Sequence, residues 1–135
     1  VPRSSGGRRH VAMIASFCNE IRLLRRIRHS QIVAFHGAAI DPSTGDLAMI
    51  FEYVAGEDMS SYVPGAHRAE HRKGTASLTM LLADVASALM YLHSLEPSVV
   101  HGDVKASNIK VYQAQGDIAR AKLLDFGLSR LLTKR

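Results

Sequence analysis

The sequence predicts an α+β fold, and three patterns carry that expectation. Apolar residues recur at helical spacing over residues 10–27 and again over 78–93. Two β-compatible runs, 33–40 and 47–54, flank a turn-forming segment and read as an antiparallel hairpin. A second small hairpin is expected where residues 109–112 and the run to Leu124 enclose the polar turn at Gly116-Asp117. At 135 residues and 47% hydrophobic content, the chain suits one globular domain with one sizeable core.

Each element has its local reason. Residues 1–9 are basic and Gly/Ser-rich with no sustained apolar stretch behind them, so a disordered or atypical leader is expected rather than a signal peptide. Over 10–27, Ile14, Phe17, Cys18, Ile21 and Leu24 form a stripe, and Arg25, Arg26 and Arg28 complement the negative end of the helix dipole. Glu20 lies beside that stripe; alone it reads as a boundary residue in a surface salt bridge. In the separator 41–46, Pro42 sets φ, Gly45 permits positive φ, and the aspartates hydrogen-bond the local backbone. Residues 57–62 suit a short helix and 64–77 a polar loop, in which His67 and His71, without a cysteine, are too little for a metal site. Helix resumes over 78–93, with Leu81, Leu82, Val85, Ala88, Leu89 and Leu92 as its apolar face and Ser77 or Thr79 as cap.

Charge and cysteine content narrow the function classes. The net charge of +5 is dispersed over Arg3, Arg8, Arg9, Arg25, Arg26, Arg28, Arg72, Lys73, Lys134 and Arg135, with no interleaved aromatics and no Trp. This argues for solvated surface and against a nucleic-acid partner. No segment approaches the ~18 consecutive apolar residues of a membrane span. The single cysteine, Cys18, precludes an internal disulfide and suits a reducing compartment, cytoplasmic or nuclear. Oligomeric state is left open.

The chemistry concentrates between Val99 and Leu128. Asp103 follows His101-Gly102 and precedes Lys105 and Asn108; Asp125 precedes Phe126-Gly127. The hairpin between them is expected to bring the two aspartates together. The run 101–108 resembles the protein-kinase catalytic loop H-R-D-L-x-x-x-N, and 125–127 its D-F-G, in the family's order and at a suitable distance. The resemblance implies phosphoryl transfer from ATP with Mg²⁺. In it Asp103 orients the substrate hydroxyl and accepts its proton, Lys105 balances phosphoryl charge, and Asn108 and Asp125 hold the metal through oxygen.

The likeness extends from about Phe17 to Ser129. It makes 10–54 part of a small lobe and 55–135 a truncated large lobe: a partial bilobal kinase-like fold, the middle of a kinase domain. Residues 17–27 resemble the αC helix, with Glu20 as partner of the ATP-positioning lysine. Leu24 and Phe35 take the places of side chains that stack towards Phe126 and His101. In Phe51-Glu52-Tyr53-Val54, Phe51 resembles the gatekeeper, and Glu52 and Val54 the hinge residues whose backbone bonds adenine. Residues 78–93 resemble the central helix beneath the catalytic loop. No Gly-rich phosphate loop is evident and no lysine precedes Lys73; the chain ends shortly after D-F-G.

Two substitutions inside the motifs stand out. Gly102 replaces the arginine that pairs with a phosphorylated activation loop in many kinases, so control by that pairing is not expected. Lys110 stands where the family places an apolar side chain under adenine; it needs a partner or an outward path. Lys105 in D-x-K-x-x-N resembles serine/threonine kinases, and the αC and hinge motifs resemble their tyrosine-kinase-like group. The implied function is transfer of the ATP γ-phosphoryl group to protein serine or threonine hydroxyls, by a domain too incomplete here for useful turnover. The alternative is a pseudokinase or scaffold acting by protein binding.

Overall fold

The computed structural model describes residues 5–66, 74–116 and 118–132, with backbone only at 5–12, 64–66 and 74–77. Among the described residues, three helices and three small antiparallel sheets follow one another: α1 (Ser5–Leu24), β1 (Phe35–Ile40), β2 (Leu47–Phe51), β3 (Glu57–Asp58), α2 (Met59–Ala66), α3 (Gly74–Ser94), β4 (Ser98–Val100), β5 (Ile109–Ala114), β6 (Ile118–Leu123) and β7 (Arg130–Leu132). A 3₁₀ turn, Ala106–Asn108, leads into β5. Among the described residues no helix is long and apolar enough to cross a membrane.

Local chemistry closes both expected hairpins. β1 and β2 pair from Phe35↔Phe51 to Ile40↔Leu47, with a register shift between Phe35 and Gly37. Between them Gly45 takes φ +77°. Asp41 Oδ1 accepts the Ser43 hydroxyl at 2.6 Å and its N–H at 2.8 Å; these bonds hold the Asp41 carboxyl below its ordinary range. β5 and β6 pair from Ile109↔Leu123 to Ala114↔Ile118, while β3 covers the other edge of β5. β4 pairs with β7.

The core forms where α1, α3 and the β5–β6 hairpin meet. Leu24, Ile32, Leu81, Leu92 and Leu123 are fully buried, each stabilising the fold by roughly 1.5–3 kcal/mol. Residues 31–33 lie along the end of β6: Val33 N–H donates to the Leu123 carbonyl at 3.0 Å, and Leu123 N–H to that of Gln31 at 2.8 Å. α3 is tied to β6 by Asp84, which accepts from Arg120 Nε and Nη2 at 2.8 and 2.7 Å and from the Ala121 N–H at 2.9 Å. Asp84 is buried, and the hydrogen bond with it raises the Arg120 guanidinium further above its ordinary range. Breaking such a pair costs roughly 3 kcal/mol, because the remaining groups lose their partners.

Several boundaries differ from expectation. α1 starts at Ser5, so residues 5–9 are helical rather than a disordered leader; residues 1–4 lie outside the described set. Gly6 and Gly7 fall in its first turn, where the N–H groups have no helical partner in any case and glycine costs least. Ile14 and Cys18 of the expected stripe are exposed, whereas Leu23, Leu24 and Ile27 are buried. Among the described side chains of α1, those that rest on the core lie towards its C-terminal end. α3 starts at Gly74, which puts Ser77 and Thr79 inside the helix and not at its cap. Leu82 is 55% exposed, because it is turned about 100° from the buried Leu81. The segment with His67 and His71 lies outside the described residues.

Candidate functional site

The site begins where β4 delivers His101 into the core. His101 is 1% exposed, and its ring meets that of Phe126 edge-on at 4.8 Å. Its Nε2 contacts the Leu124 carbonyl at 2.8 Å, and its Nδ1 accepts the Asp103 N–H at 3.3 Å. A carbonyl only accepts and a backbone N–H only donates, so the pair of contacts puts the ring proton on Nε2. Leu24, Phe35 and Phe126 are buried in the same core. His101 thus couples the segment before Asp103 to the segment before Asp125.

Gly102 has a backbone reason of its own. Its φ is +86°, and a Cβ built there would lie 2.5 Å from the Leu128 carbonyl oxygen. Leu128 belongs to the stretch after Asp125, which Ser129 also ties down by donating its hydroxyl to the His101 carbonyl at 2.9 Å. Glycine is therefore what permits this close approach.

Asp103, Lys105 and Asn108 are brought together by the tight turn that follows. The Lys105 ammonium lies 2.7 Å from Asp103 Oδ2. Asn108 Nδ2 donates to both the Asp103 carboxylate and its backbone oxygen at 2.9 Å. The Lys105 hydrogen bond, then that of Asn108, hold the Asp103 carboxyl below its ordinary range. Reciprocally, the hydrogen bond to Asp103, its charge and that of Asp125 raise the Lys105 ammonium. Asp103 is an anion aimed by two donors.

Asp125 sits at the end of β6 with φ +57°, the only non-glycine positive φ among the described residues. Aspartate tolerates this left-handed conformation, and Asp125 Oδ1 accepts the Gly127 N–H at 3.1 Å. The adjacent Leu124 N–H donates to the Asn108 carbonyl at 2.8 Å, which draws the two loops side by side. Across from Asp125, Glu20 lines a cleft of about 610 Å³ together with Arg22, Arg26, Phe126, Gly127 and Arg130. Burial first, and then the Asp125 charge, raise the Glu20 carboxyl above its ordinary range. No lysine meets Glu20 among the described residues: Lys105, Lys110 and Lys122 are paired with Asp103, Asp58 and Glu52.

The end of β2, the segment after it and β5 carry the other expected residues. Phe51 is half-buried, with its ring edge-on to Phe35 at 5.5 Å, and Val54 packs partly against the core. The Glu52 N–H is bonded to the Ala34 carbonyl at 2.9 Å, so a ligand contact by its backbone falls to its carbonyl. Glu52 Oε1 accepts the Ala34 N–H at 2.8 Å and the Lys122 ammonium at 2.5 Å. Burial raises the Glu52 carboxyl, but the Lys122 and Ala34 hydrogen bonds and the charges of Lys122 and His36 outweigh it and leave it below its ordinary range. Lys110 is neither buried alone nor turned fully to water: its ammonium lies 3.2 Å from Asp58 Oδ1.

The donor set fits a hard cation. Asn108 spends its Nδ2 on Asp103, which leaves Oδ1 as the acceptor for a metal, and the Asp125 carboxylate supplies further oxygens. One carboxylate and one amide suit a magnesium ion that keeps water and phosphate as its other ligands. Among the described residues no three His, Cys, Asp or Glu side chains converge as a dedicated cage.

Sequence reasoning did not find Asp58, Asp84 or Lys122. Asp84 had a signal, a carboxylate three residues after Leu81 on the apolar face of α3. Asp58 and Lys122 had none, since their partners lie 52 and 70 residues away.

Comparison with known proteins agrees with this geometry. The protein kinase domain family model matches residues 6–135. Over 122 residues the chain is 32% identical to serine/threonine-protein kinase CTR1 of Arabidopsis thaliana, covering 90% of this chain and 14% of that protein. It is 31% identical over 116 residues to serine/threonine-protein kinase TNNI3K of Mus musculus, covering 86% and 13%. It is 33% identical over 114 residues to serine/threonine-protein kinase DCLK1 of Rattus norvegicus, covering 84% and 24%. The chain thus spans a small part of the length of these relatives. With its catalytic-loop and D-F-G residues in family order and an α+β fold to hold them, the chain belongs to the protein kinase domain family.

Proposed function

We propose that this domain belongs to an enzyme that transfers the ATP γ-phosphoryl group to serine or threonine hydroxyls of a protein substrate. The observation that carries this reading is the arrangement of Asp103 between the Lys105 ammonium and the Asn108 amide. Asp103 orients the attacking hydroxyl and takes its proton. Its lowered pKa makes it a weak base, which suits a loose transition state that asks for little proton removal before bond formation. Lys105 moves its charge to the phosphoryl oxygens, while Asn108 keeps the Asp103 carboxylate aimed. Asn108 and Asp125 would hold Mg²⁺, which when bound would supply positive charge beside the phosphates.

Phe51, Glu52, Val54 and Lys110 border the base, the Glu52 carbonyl being its acceptor. On this reading residues 10–54 contribute to a small lobe and 55–135 to a large one, and the domain works in the cytoplasm, where ATP is plentiful. Names of the relatives support the choice of serine and threonine. A second reading, a binding-only domain, is favoured by one observation: Glu20 faces Asp125 and meets no lysine among the described residues.

Asp125→Asn in the full-length protein tests the first reading. Magnesium-dependent phosphate transfer should be abolished with the melting temperature unchanged. Unaltered transfer would remove Asp125 from the mechanism, and absence of transfer in the unmodified protein would favour the binding-only reading.

A further inference from the structure

The two lysines of the β5–β6 hairpin are held in a way that the catalytic reading does not use. Lys110 and Lys122 are cross-strand partners, so their side chains share a face of the hairpin. It is the face opposite the buried Ile109, Val111, Ala121 and Leu123. Each ammonium is taken by an acid from the segment after β2: Lys122 by Glu52 at its start, Lys110 by Asp58 at its end. Asp58 also stands directly opposite Lys110 in the β3–β5 register. Between these clamps the segment runs flush on β5, for a Cβ at Gly56 would lie 2.0 Å from the Val111 carbonyl oxygen.

An ammonium aimed at an aromatic base must shed water, at a cost that grows as the site closes. Lys110 avoids this, because its Nζ is drawn sideways to Asp58 while its side chain stays only 26% exposed. A lysine so held offers four methylenes as apolar surface and keeps its charge at the rim. We infer that Asp58 is a positioning residue for the nucleotide site: it anchors the Lys110 ammonium at the edge, so that the lysine stem serves as the apolar floor for the base. The inference rests on the proposed nucleotide-binding function.

The test is a double-mutant cycle in the full-length protein, with the Kd of a fluorescent ATP analogue and Mg²⁺ as readout. Asp58→Ala should weaken binding about tenfold by freeing the ammonium, which corresponds to ~1.4 kcal/mol. In the Lys110→Leu background, where no ammonium is left to hold, adding Asp58→Ala should change the Kd by less than about twofold relative to Lys110→Leu alone. Asp58→Asn, which preserves shape and removes charge, should repeat both results, and thermal melting identifies any variant that fails to fold. A loss that persists in the Lys110→Leu background would overturn the inference, since Asp58 would then act on the nucleotide directly. So would binding unaffected by Asp58→Asn. Absence of nucleotide binding by the parent protein would instead overturn the proposed function, and this inference with it.

Discussion

Asn108 Nδ2 donates to both the carboxylate and the backbone oxygen of Asp103, each at 2.9 Å. One buried amide thereby fixes the position and the rotamer of the acid proposed to meet the substrate hydroxyl. The same residue accepts the Leu124 N–H through its carbonyl at 2.8 Å, so the loop bearing Asp103 and the strand end bearing Asp125 share an anchor.

Asn108→Ala removes both side-chain bonds while leaving the backbone ladder in place. Stability should fall by about 1–2 kcal/mol, read from urea unfolding. Phosphate transfer by the full-length protein should fall roughly a hundredfold or more, because the base loses its aim. Transfer reduced only in proportion to the unfolded fraction would limit Asn108 to a structural role.

Gly102→Ala tests the close approach to Leu128. The added Cβ would meet the carbonyl oxygen at 2.5 Å in a backbone with φ +86°. A loss of roughly 1–3 kcal/mol is expected, seen as an earlier urea midpoint with little change in slope. Gly102→Arg should lose at least as much, since the backbone, and not only the missing charge, excludes a side chain. An unchanged midpoint for Gly102→Ala would show that this contact does not constrain the loop.

Glu20 gives a pH-dependent prediction. Burial and the Asp125 charge raise its carboxyl, so the folded protein favours the protonated form. Its contribution to stability is whole below the unfolded-state value and is lost as pH rises through the raised folded-state value. Glu20→Gln, which mimics the neutral form, should raise the melting temperature at pH 7 and leave it nearly unchanged at about pH 4. An equal shift at both values would mean that packing, not charge, sets the effect.

Much of the fold was legible because its signals are local. Pro42, Gly45 and Asp41 specify their turn through neighbours two to four residues away, and the hairpin of β1 and β2 closes as expected. Helical spacing identified α1 and α3 but placed their ends poorly, since the periodic signal weakens where apolar residues give out and the backbone continues regardless. Exposed Ile14 and Leu82 show the related limit: periodicity names a stripe, but only packing decides how much of it is covered.

By itself the sequence determined the order of the two long helices and the two hairpins, the turn chemistry, the catalytic-loop and D-F-G motifs and hence the family, because each depends on residues close together in the chain; the short strands β3, β4 and β7 were not among them. Tertiary structure alone decided the pairings that join distant segments: Asp84 with Arg120, Glu52 with Lys122, and Asp58 with Lys110. It also decided that Gly102 is held to glycine by the Leu128 carbonyl. An ion pair or a steric contact acts only across a few ångströms of space, and which groups come within that reach is set by the packing of strands and helices rather than by their spacing in the chain.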